Sequence, residues 1–112
     1  MAFTVVTPPA AALRNFSAAE LHEALARQEV VIVDVREPEE FAAAHIAGAV
    51  LLPLSAFNPA ALPEGAVVLQ CGVGKRSRMA AELCAKAGVP VAGHLAGGLA
   101  AWAAAGLPLN RG

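Results

Sequence analysis

Short apolar runs alternate with amphipathic stretches along the chain, and the two periods predict two kinds of element. "VVIVDV", residues 30–35, is β-branched at almost every position and reads as a strand buried on both faces. "AVLLPLS" (49–55) is a second short apolar run; "LPEGAVVLQ" (62–70) holds a turn and then a third. "VPVAGHL" (89–95) reads as a further strand. Helix signals lie between them. In "NFSAAEL" (15–21), Ser17 as N-cap and Glu20 three residues on form a capping box, with Phe16 and Leu21 at the staple positions. Leu21 and Leu25, one turn apart, give that helix an inward face. "EPEEF" (37–41) starts a second helix, Pro38 suiting its first turn and Glu39 and Glu40 its positive end. A third helix, about 76–87, puts Met79 and Leu83 on one face. It ends at Gly88 with Pro90 beyond, and a fourth, about 98–105, ends likewise at Gly106 with Pro108.

Strands and helices in alternation predict an α/β fold: a mostly parallel central sheet of about five strands, flanked by helices on both faces. The length, 112 residues, fits one domain over 1–112 with a real core. In such folds sites form beyond the carboxyl ends of strands, and Asp34–Arg36 and Cys71 fall at two such ends.

Composition narrows the function classes. Alanine supplies 28 residues, so the 57% hydrophobic content overstates the greasiness. A net charge of −1 and a pI near 6.3 argue against a nucleic-acid or anionic-membrane partner. The N-terminal stretch has no basic residue before its apolar part and is broken by Pro8 and Pro9, which makes it a poor secretory signal. Residues 87–110 carry no Asp, Glu, Lys or Arg, but glycines and prolines punctuate them, and they read as strand plus helix rather than a membrane span. Cys71 and Cys84 form neither a C-x-x-C motif nor a disulfide framework, which points to a reducing cytoplasm. The three histidines and two cysteines show no metal-ligand spacing, and no cofactor is expected.

The chemistry concentrates in "CGVGKRS", residues 71–77, at a strand–helix junction. Leu69 stands where a Walker A loop needs its first glycine, and Ser77 where a dinucleotide fingerprint needs its third. A cysteine phosphatase loop requires arginine six residues after the cysteine; here that residue is Ser77, and Arg76 comes one place early. What remains suits a reactive sulfur. Gly72 and Gly74 let the backbone turn its amides inward as an anion nest. The following helix adds roughly half a positive charge at its start, and Lys75 and Arg76 add a cationic background. Such surroundings favour a thiolate without a histidine beside it.

Four stretches, in order, resemble the signatures of a single-domain rhodanese, a thiosulfate sulfurtransferase-like protein. They are "DVREPEEF" (34–41), "HIAGAVLLPL" (45–54), "CGVGKRS" (71–77) and "LAGGLAAW" (95–102). The resemblance implies a sulfurtransferase working by double displacement through a Cys71 persulfide, with loop residues Gly72, Val73, Gly74, Lys75, Arg76 and Ser77 cradling the outer sulfur. The implied partners are a small donor such as thiosulfate, a cyanide or thiol acceptor, and a sulfur-relay protein. An alternative is a persulfide-carrying or partner-binding module with little thiosulfate activity of its own. Gly72 departs from the pattern, since many members of the family carry a cation there. The resemblance also implies supporting roles for Asp34 and Arg36 near the site, and a structural one for His45 in its turn. His94, at a strand end, reads as a structural or rim residue and His22 as solvated; Cys84 reads as packing, and Trp102 as cover for the core.

Overall fold

A computed structural model describes residues 13–112; the N-terminal stretch weighed as a signal lies, over residues 1–12, outside them. The elements run β1 (Asn15–Phe16), α1 (Ala18–Ala26), β2 (Val31–Asp34), α2 (Pro38–Ala43), β3 (Val50–Leu51), β4 (Val67–Gln70), α3 (Lys75–Lys86), β5 (Gly93–Leu95) and α4 (Gly98–Ala104). Five strands form one sheet in the order β1-β5-β4-β2-β3, every pair parallel. β1 and β3, two residues each, are its edges.

The alternating runs build this sheet because β2 and β4 are apolar on both faces. Ile32 and Val68 face α1 and α4, meeting Leu21 and Trp102. Val33, Val67 and Leu69 face the other way, against Ala80 and Ala81 of α3. Ser17 caps α1 through the capping box read from the sequence, and both staple residues, Phe16 and Leu21, are buried. Gly88 and Gly106, at φ +70° and +72°, close α3 and α4 with the paired hydrogen bonds of a Schellman ending.

α3 differs from expectation. Met79 and Leu83 do share a face, but it is the solvent face, at 47% and 41% exposure. The buried stripe is Ser77, Ala80, Ala81 and Cys84. Small side chains let this helix sit close against the sheet, and that brings its first turn to the end of β4.

The chain runs from β2 outward to β3, then returns across to β4 on the other side of β2. The reversal puts the topological switch point between the carboxyl ends of β2 and β4, where Asp34 pairs with Gln70 in register. Cys71 is the next residue. Among the described residues no helix is long and apolar enough to cross a membrane.

Candidate active site

Four residues, Cys71 to Gly74, turn the chain from β4 into α3. Gly74 is the N-cap of α3 at φ +100°, a left-handed conformation that a side chain at this position would strain. That conformation aims its N–H back at Cys71, which it meets at 3.1 Å from Sγ. The loop is held from behind by α4. The N–H groups of Leu99 and Ala100 donate to the carbonyls of Cys71 and Gly72 at 2.7 and 3.0 Å, and Gln70 Nε2 also donates to the Cys71 carbonyl. Gly98 permits this approach, because a Cβ there would stand 2.4 Å from the Cys71 carbonyl oxygen. With the Cys71 and Gly72 carbonyls held by α4, the amide that faces the sulfur among the described contacts is that of Gly74.

Around Sγ the polar groups form a line. Ser77 Oγ, one turn into α3, is 3.6 Å from Sγ, 3.1 Å from the Gly74 carbonyl and 2.9 Å from His94 Nδ1. His94 Nε2 is 2.7 Å from Asn15 Oδ1 on β1. Burial, aided by the nearby charge of Arg78, holds His94 below the ordinary histidine range. Cys71 itself is fully buried, its non-loop neighbours including Val33, Val35 and Leu69. Val73 forms the outer lip of the loop, 70% exposed.

The two loop cations behave differently. Lys75 is exposed, whereas Arg76 is gripped by Glu40 of α2 in a two-pronged pair, Nη1–Oε1 2.7 Å and Nη2–Oε2 2.9 Å. The expected cationic background is therefore reduced, since much of Arg76's charge is met by a carboxylate. That hydrogen bond, seconded by the Glu37 N–H, takes Glu40 from the ordinary 4.5 down to about 2. The stabilisation is present above about pH 4.5 and lost as pH falls through about 2. Native protein is thus expected to lose more stability than Glu40→Gln over that window, measured by urea unfolding at stepped pH. Equal losses would show that the ion pair does not couple α2 to the loop.

Asp34 and Arg36 sit at the end of β2, buried. Arg36 Nε is 3.0 Å from Asp34 Oδ1 and Nη2 is 2.8 Å from Oδ2; Nη2 also donates to the Ala44 carbonyl at 2.7 Å. The pair ties the sheet to the C-terminal end of α2, the helix that carries Glu40. Their place is beside the loop's support, not against the sulfur.

The remaining residues divide cleanly. His45 Nδ1 lies 2.8 Å from the Phe41 carbonyl and its ring stacks on Phe41 at 3.9 Å, while its backbone bridges Asn110. His22 is exposed, yet its ring stands edge-on to Trp102 at 5.6 Å. Trp102 is buried, its indole N–H donating to the Pro108 carbonyl at 2.9 Å. Cys84 lies sealed in the α3 stripe, where burial pushes its thiol up to about 11. It is expected to stay unmodified by iodoacetamide at about pH 8, where few of its thiols ionise. Cys84→Ala is expected to keep turnover within about twofold, and a large loss in a folded variant would assign Cys84 a role at the site.

Glu40, Asn15 and Gly98 complete this neighbourhood without having been read from sequence as parts of it, and His94, read as a structural or rim residue, stands against Ser77. Glu40 is separated from Arg76 by 36 positions and Asn15 from His94 by 79, so no local spacing marks either pair. Gly98 does carry a signal, since it lies in the glycine pair of the stretch "LAGGLAAW" (95–102).

Residues 17–105 match the Rhodanese-like domain family. An uncharacterized protein of Synechocystis is 49% identical over 82 residues, which are 70% of this chain and 46% of that protein. The probable adenylyltransferase/sulfurtransferase MoeZ of Mycobacterium tuberculosis is 42% identical over 81 residues, 68% of this chain and 21% of that protein. The chain thus spans less than half the length of either. The crystal structure of thiosulfate sulfurtransferase from Pseudomonas aeruginosa superposes with a TM-score of 0.78 at 27% identity, over 89% of this chain and 20% of that one.

Proposed function

The chain belongs to the Rhodanese-like domain family, whose similar members include sulfurtransferases, and from that premise we propose that it moves sulfane sulfur through a persulfide on Cys71. The observation that carries this reading is the Gly74 N–H held 3.1 Å from Sγ at the switch point between β2 and β4. In the first displacement the Cys71 thiolate attacks the outer sulfur of a donor such as thiosulfate. The new S–S bond forms as the donor's own S–S bond breaks, and sulfite leaves with the electron pair. In the second, a cyanide or thiol acceptor attacks the outer sulfur and Cys71 leaves as thiolate. One difficult transfer becomes two easier ones. Residues 72–77 cradle the anionic outer sulfur, with the Gly74 amide as first donor, Ser77 at the inner wall and Lys75 at the rim; Asp34 and Arg36, at the end of β2, support by bracing α2. The setting is a reducing compartment, the cytoplasm.

A specific observation favours a second reading, a persulfide carrier that takes sulfur from a protein. Gly72 brings no cation beside Cys71, and Arg76 is held by Glu40, so of the two loop cations Lys75 alone is left to attract thiosulfate. Cys71 is also fully buried, so any donor reaches Sγ only where the surrounding side chains give way.

Incubation with thiosulfate, followed by intact mass and then cyanide, tests both. Gain of one sulfur atom, removed as thiocyanate with turnover, supports the enzyme. A persulfide formed from a protein persulfide donor but not from thiosulfate supports the carrier. No sulfur uptake from either donor overturns both.

A further inference from the structure

No histidine lies close to Cys71 in sequence, yet the fold brings one within a single hydroxyl of its sulfur. The geometry points to a proton relay, Cys71–Ser77–His94–Asn15, in which His94 receives the thiol proton through Ser77; this rests on the reading of Cys71 as the nucleophile. Asn15 sets the direction. Its side-chain oxygen faces Nε2 at 2.7 Å, so that nitrogen carries the ring hydrogen and Nδ1 keeps its lone pair. Nδ1 then accepts the hydroxyl hydrogen of Ser77 at 2.9 Å, and Ser77 Oγ in turn faces Sγ at 3.6 Å as an acceptor for the thiol.

The transfer balances without any further reactant. The S–H bond breaks as an O–H bond forms on Ser77; Ser77's own O–H bond breaks as an N–H bond forms at Nδ1. The electron pair stays on sulfur, and nothing is oxidised or reduced. Afterwards the two hydrogen bonds run in reverse, Nδ1–H to Oγ and Oγ–H to the thiolate, so no member is left unpaired in either state. The Gly74 carbonyl, 3.1 Å from Ser77 Oγ, is the other acceptor for that hydroxyl.

The surroundings suit a temporary proton store. Among the described residues, the charged or titratable groups that reach the imidazole are Arg78 of α3 and, through Ser77, Cys71; β1 presents the uncharged Asn15 and β4 the apolar Leu69 in register with His94. Burial and Arg78 hold the ring below the ordinary histidine range, so Nδ1 keeps the proton only while the thiolate faces Ser77 and balances its charge. When the second displacement frees the Cys71 thiolate, the proton returns along the same line: the N–H bond at Nδ1 breaks as Ser77 regains its hydrogen, and the Ser77 hydrogen re-forms the S–H bond. His94 acts through Ser77 and is a positioning residue, not one that touches the reacting atoms.

The test reads the charge on the sulfur directly. The chain has no tyrosine, so far-ultraviolet thiolate absorbance is free of tyrosinate, and the Cys84→Ala variant leaves one thiol. In that parent, His94→Asn keeps a polar group near the Nδ1 position without its proton affinity, and Ser77→Ala cuts the path with the histidine in place. Each variant is expected to show about tenfold less thiolate near pH 7, converging with the parent in alkali. The double variant is expected to lose no more than either single one. An unchanged titration in Ser77→Ala, with circular dichroism matching the parent, overturns the relay, whether or not His94→Asn folds. Independent, additive losses overturn it too. Because the titration reports ionisation and not transfer, its failure beside intact thiosulfate turnover leaves the sulfurtransferase reading standing. The converse result, a shifted titration with no sulfur uptake, separates the two the other way.

Discussion

Cys71→Ser is expected to lower persulfide formation and turnover by at least about a thousandfold while leaving the fold unchanged. The hydroxyl is nearly isosteric with the thiol, and the Gly74 N–H can donate to it as it does to Sγ. Serine nevertheless fails as a sulfur carrier, because near neutral pH its hydroxyl does not ionise in this site and oxygen does not form the persulfide. Packing changes little, since the loop is held through the backbone carbonyls of Cys71 and Gly72 and not through the side chain. The check pairs thiocyanate production with near-ultraviolet circular dichroism of Trp102, whose ring lies buried on the opposite face of the sheet. Retained turnover would remove Cys71 as the nucleophile.

Asp34→Ala is expected to destabilise the fold by about 3–5 kcal/mol, the range for breaking a buried ion pair. Asp34 has no exposed surface and the Arg36 side chain only 6%. Removing the carboxylate leaves a buried guanidinium with the Ala44 and Glu40 carbonyls alone. Against a typical stability of about 5–15 kcal/mol this is a large fraction. The urea midpoint should fall with little change in slope. Replacing both partners with apolar residues of similar volume is expected to cost less than removing Asp34 alone, because the penalty is the unpaired charge. A loss below about 1 kcal/mol for Asp34→Ala would mean that Arg36 escapes to water and does not brace α2. The loop would feel the damage indirectly, because α2 carries the Glu40 that restrains Arg76.

Much of this architecture is legible in the chain because its causes are local. A capping box spans four residues, so Ser17 and Glu20 announce α1 wherever the rest of the chain goes. Glycine–proline endings work in the same way for α3 and α4. β2 and β4 are legible because a strand covered on both faces is apolar throughout. β1 was not, since two residues make a strand only once β5 is alongside. The orientation of α3 was missed for a related reason. Met79 and Leu83 are its largest apolar side chains, but close packing on the sheet selects the alanine, serine and cysteine stripe instead.

The sequence by itself determined the alternating α/β order, the glycine-bounded turn after β4, and the thiol at its start, all set by neighbours within a few positions. Tertiary structure alone decided what surrounds that thiol. It pairs Arg76 with Glu40, sets the α4 amides on the loop carbonyls, and stands His94 behind Ser77. Hydrogen bonds and ion pairs act over about 3 Å of space and are indifferent to chain separation. Only the sheet order, which lays β4 between β2 and β5 and puts β1 on the far side of β5, turns those distant positions into neighbours.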